Sequence, residues 1–185
     1  NRTSALLIGK NGSGKSTLAH ALAVFQRVGR GVNRVGELVA ASDFALGRVD
    51  VPMRFELQLR LDGRLYDYTL ALELPERFKE LRVVEEALSV DGGVIYSRKH
   101  AQVTVHKQPE AQFAIDWHLV ALTVIQDPAA VGALGRFRQW LASMVLLAPV
   151  PQLISGDAAA ETLEPARDAS NLADWLAGLL AQYPA

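Results

Sequence analysis

Eight residues near the start of the chain, Gly9-Lys10-Asn11-Gly12-Ser13-Gly14-Lys15-Ser16, combine three glycines with a lysine and a hydroxyl at fixed spacing. They satisfy G-x-x-x-x-G-K-[ST] in full, and the chemistry of that pattern is phosphate binding. Glycines at 9, 12 and 14 let the backbone curl so that successive N–H groups point inward as an anion nest. A helix starting at Lys15 adds its free N–H groups and its positive dipole end at the same place. Lys15 can reach the β- and γ-phosphates of a nucleoside triphosphate, the Ser16 hydroxyl can ligate Mg²⁺, and Thr17 offers a hydroxyl near the α-phosphate. The expected ligand is therefore a nucleoside triphosphate with Mg²⁺, held by Gly9, Lys10, Asn11, Gly12, Ser13, Gly14, Lys15, Ser16 and Thr17. Lys15 is the expected catalytic residue and Ser16 the expected metal ligand. A chance glycine-rich turn is the bland alternative, and the flanking pattern speaks against it.

That loop needs a strand before it and a helix after it. "RTSALLIG" reads as a buried strand ending at the loop, and Lys15 to about Val28 reads as a helix with Leu18, Ala21, Leu22 and Phe25 on one side. "GRGVNRVG" is loop. "MRFELQLRL" alternates strictly, with Met53, Phe55, Leu57, Leu59 and Leu61 facing one way and Arg54, Glu56, Gln58 and Arg60 the other. "LYDYTLALEL" alternates too, and Asp62-Gly63 between the two favours a tight hairpin turn. "EALSV", "VIYSR" and "AQVTVH" predict further short strands, with a second turn at Asp91-Gly92. From Trp117 the pattern turns helical. A helix is expected from Pro128, carrying Leu134, Phe137, Trp140 and Leu141, and "MVLLAP" is expected as a strand. A last helix places Leu172, Trp175, Leu176, Leu179, Leu180 and Tyr183 on one face.

Composition sets the class. The chain has 185 residues, no cysteine and a formal net charge of −1. The absence of cysteine excludes disulfides, thiolate metal sites and cysteine nucleophiles, and suits a reducing cytosol. No apolar run reaches the roughly 20 residues of a membrane span. Charge is uneven: Arg2, Lys10, Lys15, Arg27, Arg30 and Arg34 precede the first acid, Glu37, whereas Asp157, Glu161, Glu164, Asp168 and Asp174 face only Arg167 after Ser155. The start favours an anion and the end reads as a solvated acidic face. The chain begins at Asn1 and is expected to be part of something longer.

"GKNGSGKST" resembles the Walker A loop of ABC-type ATPases, and more narrowly that of the SMC-, RecF- and OLD-like branch often labelled AAA family ATPase. The β-rich stretch after the first helix, "VVEEAL" with its hairpin, and "SNLADWL" also resemble pieces of those proteins. The resemblance implies an α/β P-loop NTPase with an ABC-type head: a P-loop core over residues 1–50, an antiparallel β lobe over 51–108 and a helical region over 109–185. It also implies Mg-ATP binding, hydrolysis that drives head dimerisation as a homodimer, and roles such as DNA maintenance or phage defence in the cytoplasm.

The hydrolytic half of that machine is hard to find. A Walker B motif needs four apolar residues before Asp-Glu, yet "LRVVEE" has Arg82 inside the run and "LTVIQD" has Gln126. Neither "LSVDGG" nor "LISGD" makes the signature loop. By the resemblance Gln126 is either the glutamine that senses Mg²⁺ and water or, as favoured here, an exposed helix residue. No catalytic base is named. His20, His100, His106 and His118 lack metal-ligand spacing. Arg54, Arg60 and Arg64 on a strand face, or Arg27, Arg30 and Arg34, could meet DNA, but interleaved acids and the near-zero net charge weaken that reading. Trp117, Trp140 and Trp175 are expected in the core or a lobe interface. Two further functions remain: a nucleotide-gated interaction module without turnover and, less favoured because hairpins follow the first helix, a small-molecule kinase.

Overall fold

The computed structural model describes residues 8–75, 80–107, 109–126 and 132–183. The expected strand before the glycine-rich loop and the Pro128 helix start lie outside the described residues. The chain divides into two units, residues 1–143 and 144–185.

In the first unit, helix α1 (Lys15–Gly29) follows the loop. A short helix α2 (Val35–Leu38) comes next, and then six strands: β1 (Met53–Leu61), β2 (Arg64–Glu73), β3 (Arg82–Val90), β4 (Gly93–Lys99), β5 (Gln102–Val105) and β6 (Ala111–Ala114). They form one antiparallel sheet in the order β1-β2-β3-β4-β5-β6, each strand paired with the next in sequence. Helices α3 (Ala121–Val124) and α4 (Ala133–Ser143) complete the unit.

The hairpins form where the Asp-Gly pairs stand. Asp62 and Gly63 have φ of 50° and 81°, and Asp91 and Gly92 have 52° and 79°, the doubly positive geometry that suits the twist of a two-residue turn. Arg64 Nε donates to Asp91 Oδ2 at 2.8 Å and the Leu65 N–H to Asp91 Oδ1 at 2.8 Å, so the two turns are tied to each other. Alternation then sorts the faces. Tyr66, Tyr68, Leu70 and Leu72 of β2, Leu88 and Val90 of β3, and Tyr96 of β4 are buried on the inner face.

Helices α1 and α4 cover that face. Phe25 of α1 meets Phe55 and Tyr68 edge-on at 6.0 and 5.9 Å, and Phe137 of α4 stacks on Tyr66 at 5.8 Å. Gly29 marks the tightest approach, because a Cβ there would run into Leu141 and the backbone of Ala142. The stripe on α1 differs from expectation in its first half: Val24, Phe25 and Val28 are buried, but Leu18 is exposed.

The sheet extends by its sixth strand into the stretch expected to be helical. Trp117 is not in the core; it is 42% exposed and lies over the Arg82 guanidinium, 4.9 Å from its carbon to the ring centre.

In the second unit, "MVLLAP" does not form a strand. It runs without regular structure while the Ala148 and Val150 N–H groups donate to the carbonyls of Arg167 and Asp168 at 2.7 and 2.9 Å. Helix α5 (Leu172–Gln182) forms as expected, but the expected apolar face is only partly covered: Trp175 and Leu179 are half-buried, and the one fully buried residue of the helix is Gly178. Gly178 packs against the Thr162 backbone, while Leu172, Leu176, Leu180 and Tyr183 are exposed. No helix among the described residues is long and apolar enough to cross a membrane.

Candidate functional site

The loop Gly9–Gly14 delivers the chain into α1 without spending the helix's own donors. Gly14 is the N-cap residue at φ 88°, and a glycine there offers no side chain to bond the first-turn N–H groups. No acidic residue sits in that turn, so the positive end of the helix faces outward unopposed. Gly12 (φ 81°) and Gly14 both adopt left-handed backbone, a region that other L-residues enter at a cost of roughly 1–2 kcal/mol. Gly9 is required for a different reason: a Cβ on it would collide with the Ser13 hydroxyl.

Lys15 gathers the loop around its ammonium. Nζ donates to the Gly9 carbonyl at 2.5 Å, the Lys10 carbonyl at 2.8 Å and the Ser13 hydroxyl at 3.2 Å. The Ser13 N–H donates back to the Lys10 carbonyl at 3.2 Å. A positive charge thus stands within the curl of the loop, beside the open N–H groups of α1. Ser16 and Thr17 lie exposed on the first turn, Ser16 next to Lys15. A triphosphate and its metal fit this donor set: a cradle kept clear by Gly9, an ammonium inside it, and hydroxyls at its rim.

The other acids proposed for the site are engaged elsewhere. Glu85 is on the outer face of β3, where Arg54 Nη1 donates to it at 2.6 Å. Glu86 faces inward and is wholly buried. Its Oε1 accepts from the Tyr68 hydroxyl at 3.1 Å, the Tyr96 hydroxyl at 2.7 Å and the Leu122 N–H at 2.8 Å; its Oε2 accepts from the Ala121 N–H at 2.7 Å. Arg98, opposite it on β4, has Nη1 at 3.7 Å from Oε2. Burial pushes the Glu86 carboxyl above its ordinary value, while the Tyr96 hydroxyl, the two backbone donors and Arg98 act against that. "LRVVEE" is therefore a strand of the β sheet with no acid directed at the loop. Gln126 is exposed just past α3, and Asp127 is outside the described residues.

Three of the six candidate nucleic-acid arginines are engaged within the chain: Arg54 with Glu56 and Glu85, Arg64 with Asp91, and Arg30 through Nε with the Ala142 carbonyl. His118 Nδ1 lies 2.8 Å from the Leu81 carbonyl and His106 Nε2 lies 3.1 Å from the Ser97 hydroxyl. Among the described residues no group of three or more His, Cys, Asp or Glu side chains could hold a metal ion.

The Glu86 cluster was not visible in the sequence. Strict alternation would put Glu85 with Val83 and send Glu86 outward. A register shift between Ala71 and Leu72 of β2 makes Leu72 pair with Val83 while Leu70 pairs with Glu86, and this turns Glu86 inward.

Residues 4–169 match a protein family described as AAA domain, putative AbiEii toxin, type IV TA system. The chain belongs to that family. It is an AAA-type P-loop domain, of a kind that is nucleotide-binding and ATPase-like and generally binds ATP with Mg²⁺. No curated protein and no solved structure matches the chain.

Proposed function

We propose that this AAA domain binds Mg-ATP in the Gly9–Thr17 loop, and that it is the nucleotide-binding part of an ABC-type head of the SMC-, RecF- and OLD-like kind. The observation that carries the reading is the placement of the Lys15 ammonium inside a loop whose glycines leave the α1 N–H groups open. Lys15 would hold and polarise the β- and γ-phosphates, and backbone N–H groups from Asn11 to Thr17 would hold the phosphate oxygens. Ser16 would ligate Mg²⁺, which neutralises charge on the phosphates when bound. The P-loop core (1–50), the β lobe (51–108) and the region 109–185 would act as one head. Binding energy used to close two such heads, with hydrolysis reopening them, would give a homodimeric switch. DNA maintenance and phage defence are tasks such a switch could serve in the cytoplasm.

A second reading is supported by Glu85 and Glu86, since both candidate acids are committed to the β sheet: a nucleotide-gated interaction module that binds without turnover. The test is Mg-ATP binding by calorimetry, together with turnover at several protein concentrations, in the wild type and in Lys15→Ala. Binding lost in the variant supports the loop assignment, and equal binding in both would end it. Turnover rising faster than linearly with concentration supports paired heads; binding without turnover supports the module.

A further inference from the structure

Burying an ion pair is a poor way to gain stability. Desolvation costs several kcal/mol per ion, and apolar residues of the same volume often do as well or better. Glu86 and Arg98 are 0% and 2% exposed, so what their bonds accomplish must lie in where they hold the chain.

Among the described residues, four of their seven hydrogen bonds go to one segment, residues 116–122; the others go to Tyr68, Tyr96 and His100. Arg98 donates through Nη1 to the Leu119 carbonyl and through Nη2 to the Asp116 carbonyl at 3.1 Å, with Nε on the His100 carbonyl at 2.5 Å. Glu86 takes the N–H groups of Ala121 and Leu122. These open α3, whose own N-cap residue, Val120, has no side chain able to cap it. Carbonyls before position 120 are thus held by the cation and N–H groups after it by the anion. An acid at 98 would set acceptors against carbonyls, and an amide at 86 would set a donor against a backbone N–H or a tyrosine hydroxyl.

The same segment holds the far end of the P-loop helix. The Val35 N–H donates to the His118 carbonyl at 2.9 Å, the Val120 N–H donates to the Asn33 carbonyl at 2.8 Å, and Arg34 and Leu119 form an antiparallel bridge. Three residues, 30–32, separate α1 from residues 33–35, and this turn is tied back to the helix by the Val32 N–H, which donates to the Arg27 carbonyl at 3.0 Å. On its flank, Phe25 of α1 rests on Tyr68, whose hydroxyl is one of the donors to Glu86. One continuous set of bonds runs from the sheet through Glu86 and Arg98 to residues 116–122, then to 33–35, and so to the helix that presents the loop.

We infer that Glu86, with Arg98, is a positioning residue for the nucleotide loop: it fixes the segment that anchors the far end of α1, and the Trp117 stretch of that segment responds to what binds at the near end. This rests on the proposed nucleotide site. A stable, fully satisfied polar network specifies one location for the segment, which an apolar core would leave freer to slide.

The experiment uses the 185-residue chain with Trp140→Phe and Trp175→Phe, so that Trp117 is the only tryptophan. ATP with MgCl₂ is titrated, reading Trp117 emission and, separately, the heat of binding. The expected result is an emission change that saturates with the binding heat. Glu86→Gln should abolish the emission change and weaken binding several-fold, less than loss of a group that touches the nucleotide. Tyr96→Phe removes one donor and leaves the ion pair; it should give a partial loss of both, and it keeps the test decisive where Glu86→Gln does not fold. A full emission change in folded Glu86→Gln or Tyr96→Phe overturns the inference, as does binding heat without any Trp117 response in the parent. Absence of binding heat in the parent overturns the nucleotide site itself, and is thereby told apart from failure of the positioning role alone.

Discussion

The Lys15 ammonium and the Gly9 carbonyl, six residues apart, are 2.5 Å from each other and close the glycine-rich loop on itself. The lysine that would meet phosphate is already held at the mouth of the cradle by weaker neutral acceptors, which an anionic phosphate can outcompete. Lys15→Ala removes both the latch and the charge. Loss of a charge-assisted contact of about 2–3 kcal/mol predicts ATP binding weaker by roughly 30- to 150-fold. Calorimetry on the folded variant checks this, and affinity within threefold of wild type would contradict it.

The three loop glycines separate by mechanism. Gly9→Ala puts a methyl group into the Ser13 hydroxyl and displaces the loop, whereas Gly12→Ala and Gly14→Ala meet no neighbour but force a side chain into left-handed backbone. Each of the latter two should cost about 1 kcal/mol locally. All three should weaken ATP binding while lowering the melting temperature by no more than about 2–4 °C, the shift that about 1 kcal/mol gives in a chain of this size. Paired melting and binding curves decide the matter, and a large fall in melting temperature would count against it.

Gly29→Ala should do the reverse. Its methyl would meet Leu141 and the Ala142 backbone, where α1 and α4 touch. Overpacking of that kind costs typically 1–3 kcal/mol. A drop of several degrees in melting temperature is expected, and an unchanged melt would show that the two helices sit farther apart.

Asp91 supplies a pH test. The Arg64 guanidinium, and then the Leu65 N–H, hold its carboxyl below the ordinary value. A carboxyl lowered by folding adds stability that is present above its unfolded pKa and is lost as pH falls through the folded one. Asp91→Asn keeps a residue type that tolerates the left-handed turn but deletes the charge. The wild type should therefore be the more stable at pH 7, and the gap should close as pH is lowered past the ordinary carboxyl range. Denaturant midpoints across that range give the answer; a constant gap would show that Arg64 contributes nothing through charge.

Much of this fold could be read in advance, and the misses have causes. Strands β1 to β4 were legible because Met53–Leu61 and its partner alternate with period two and Asp-Gly marks both turns. The loop and α1 were legible because phosphate chemistry constrains residue type at fixed positions. Strand β6 was missed: "AQFA" is too short to show a period, and its place comes from pairing with β5. "MVLLAP" misled because an apolar run marks burial or extension without saying what it pairs with. The Glu86 cluster depends on an extra residue in β3, Val84, skipped where Glu85 and Val83 pair with Ala71 and Leu72 of β2, a tertiary event that no local pattern records. On α5 the helical period was right, but only Trp175 and Leu179 of the expected face are half-buried, and the closest contact is made by Gly178, a residue with no hydrophobic weight.

The strand order carries a consequence for how the chain acquires its shape. Each strand of the sheet pairs with the one just before it, so every step of sheet formation closes only a short loop, at small entropic cost. The packing of α1 on α4 is another matter. The bond from Arg30 to the Ala142 carbonyl spans 112 residues, and the whole sheet lies between its ends. During synthesis, which proceeds from the N-terminus, α1 can meet Phe55 and Tyr68 as soon as the first hairpin forms, but its packing on α4 waits for a partner about a hundred residues downstream. The helix that carries the glycine-rich loop is thus made before the sheet and reaches its final packing only after it.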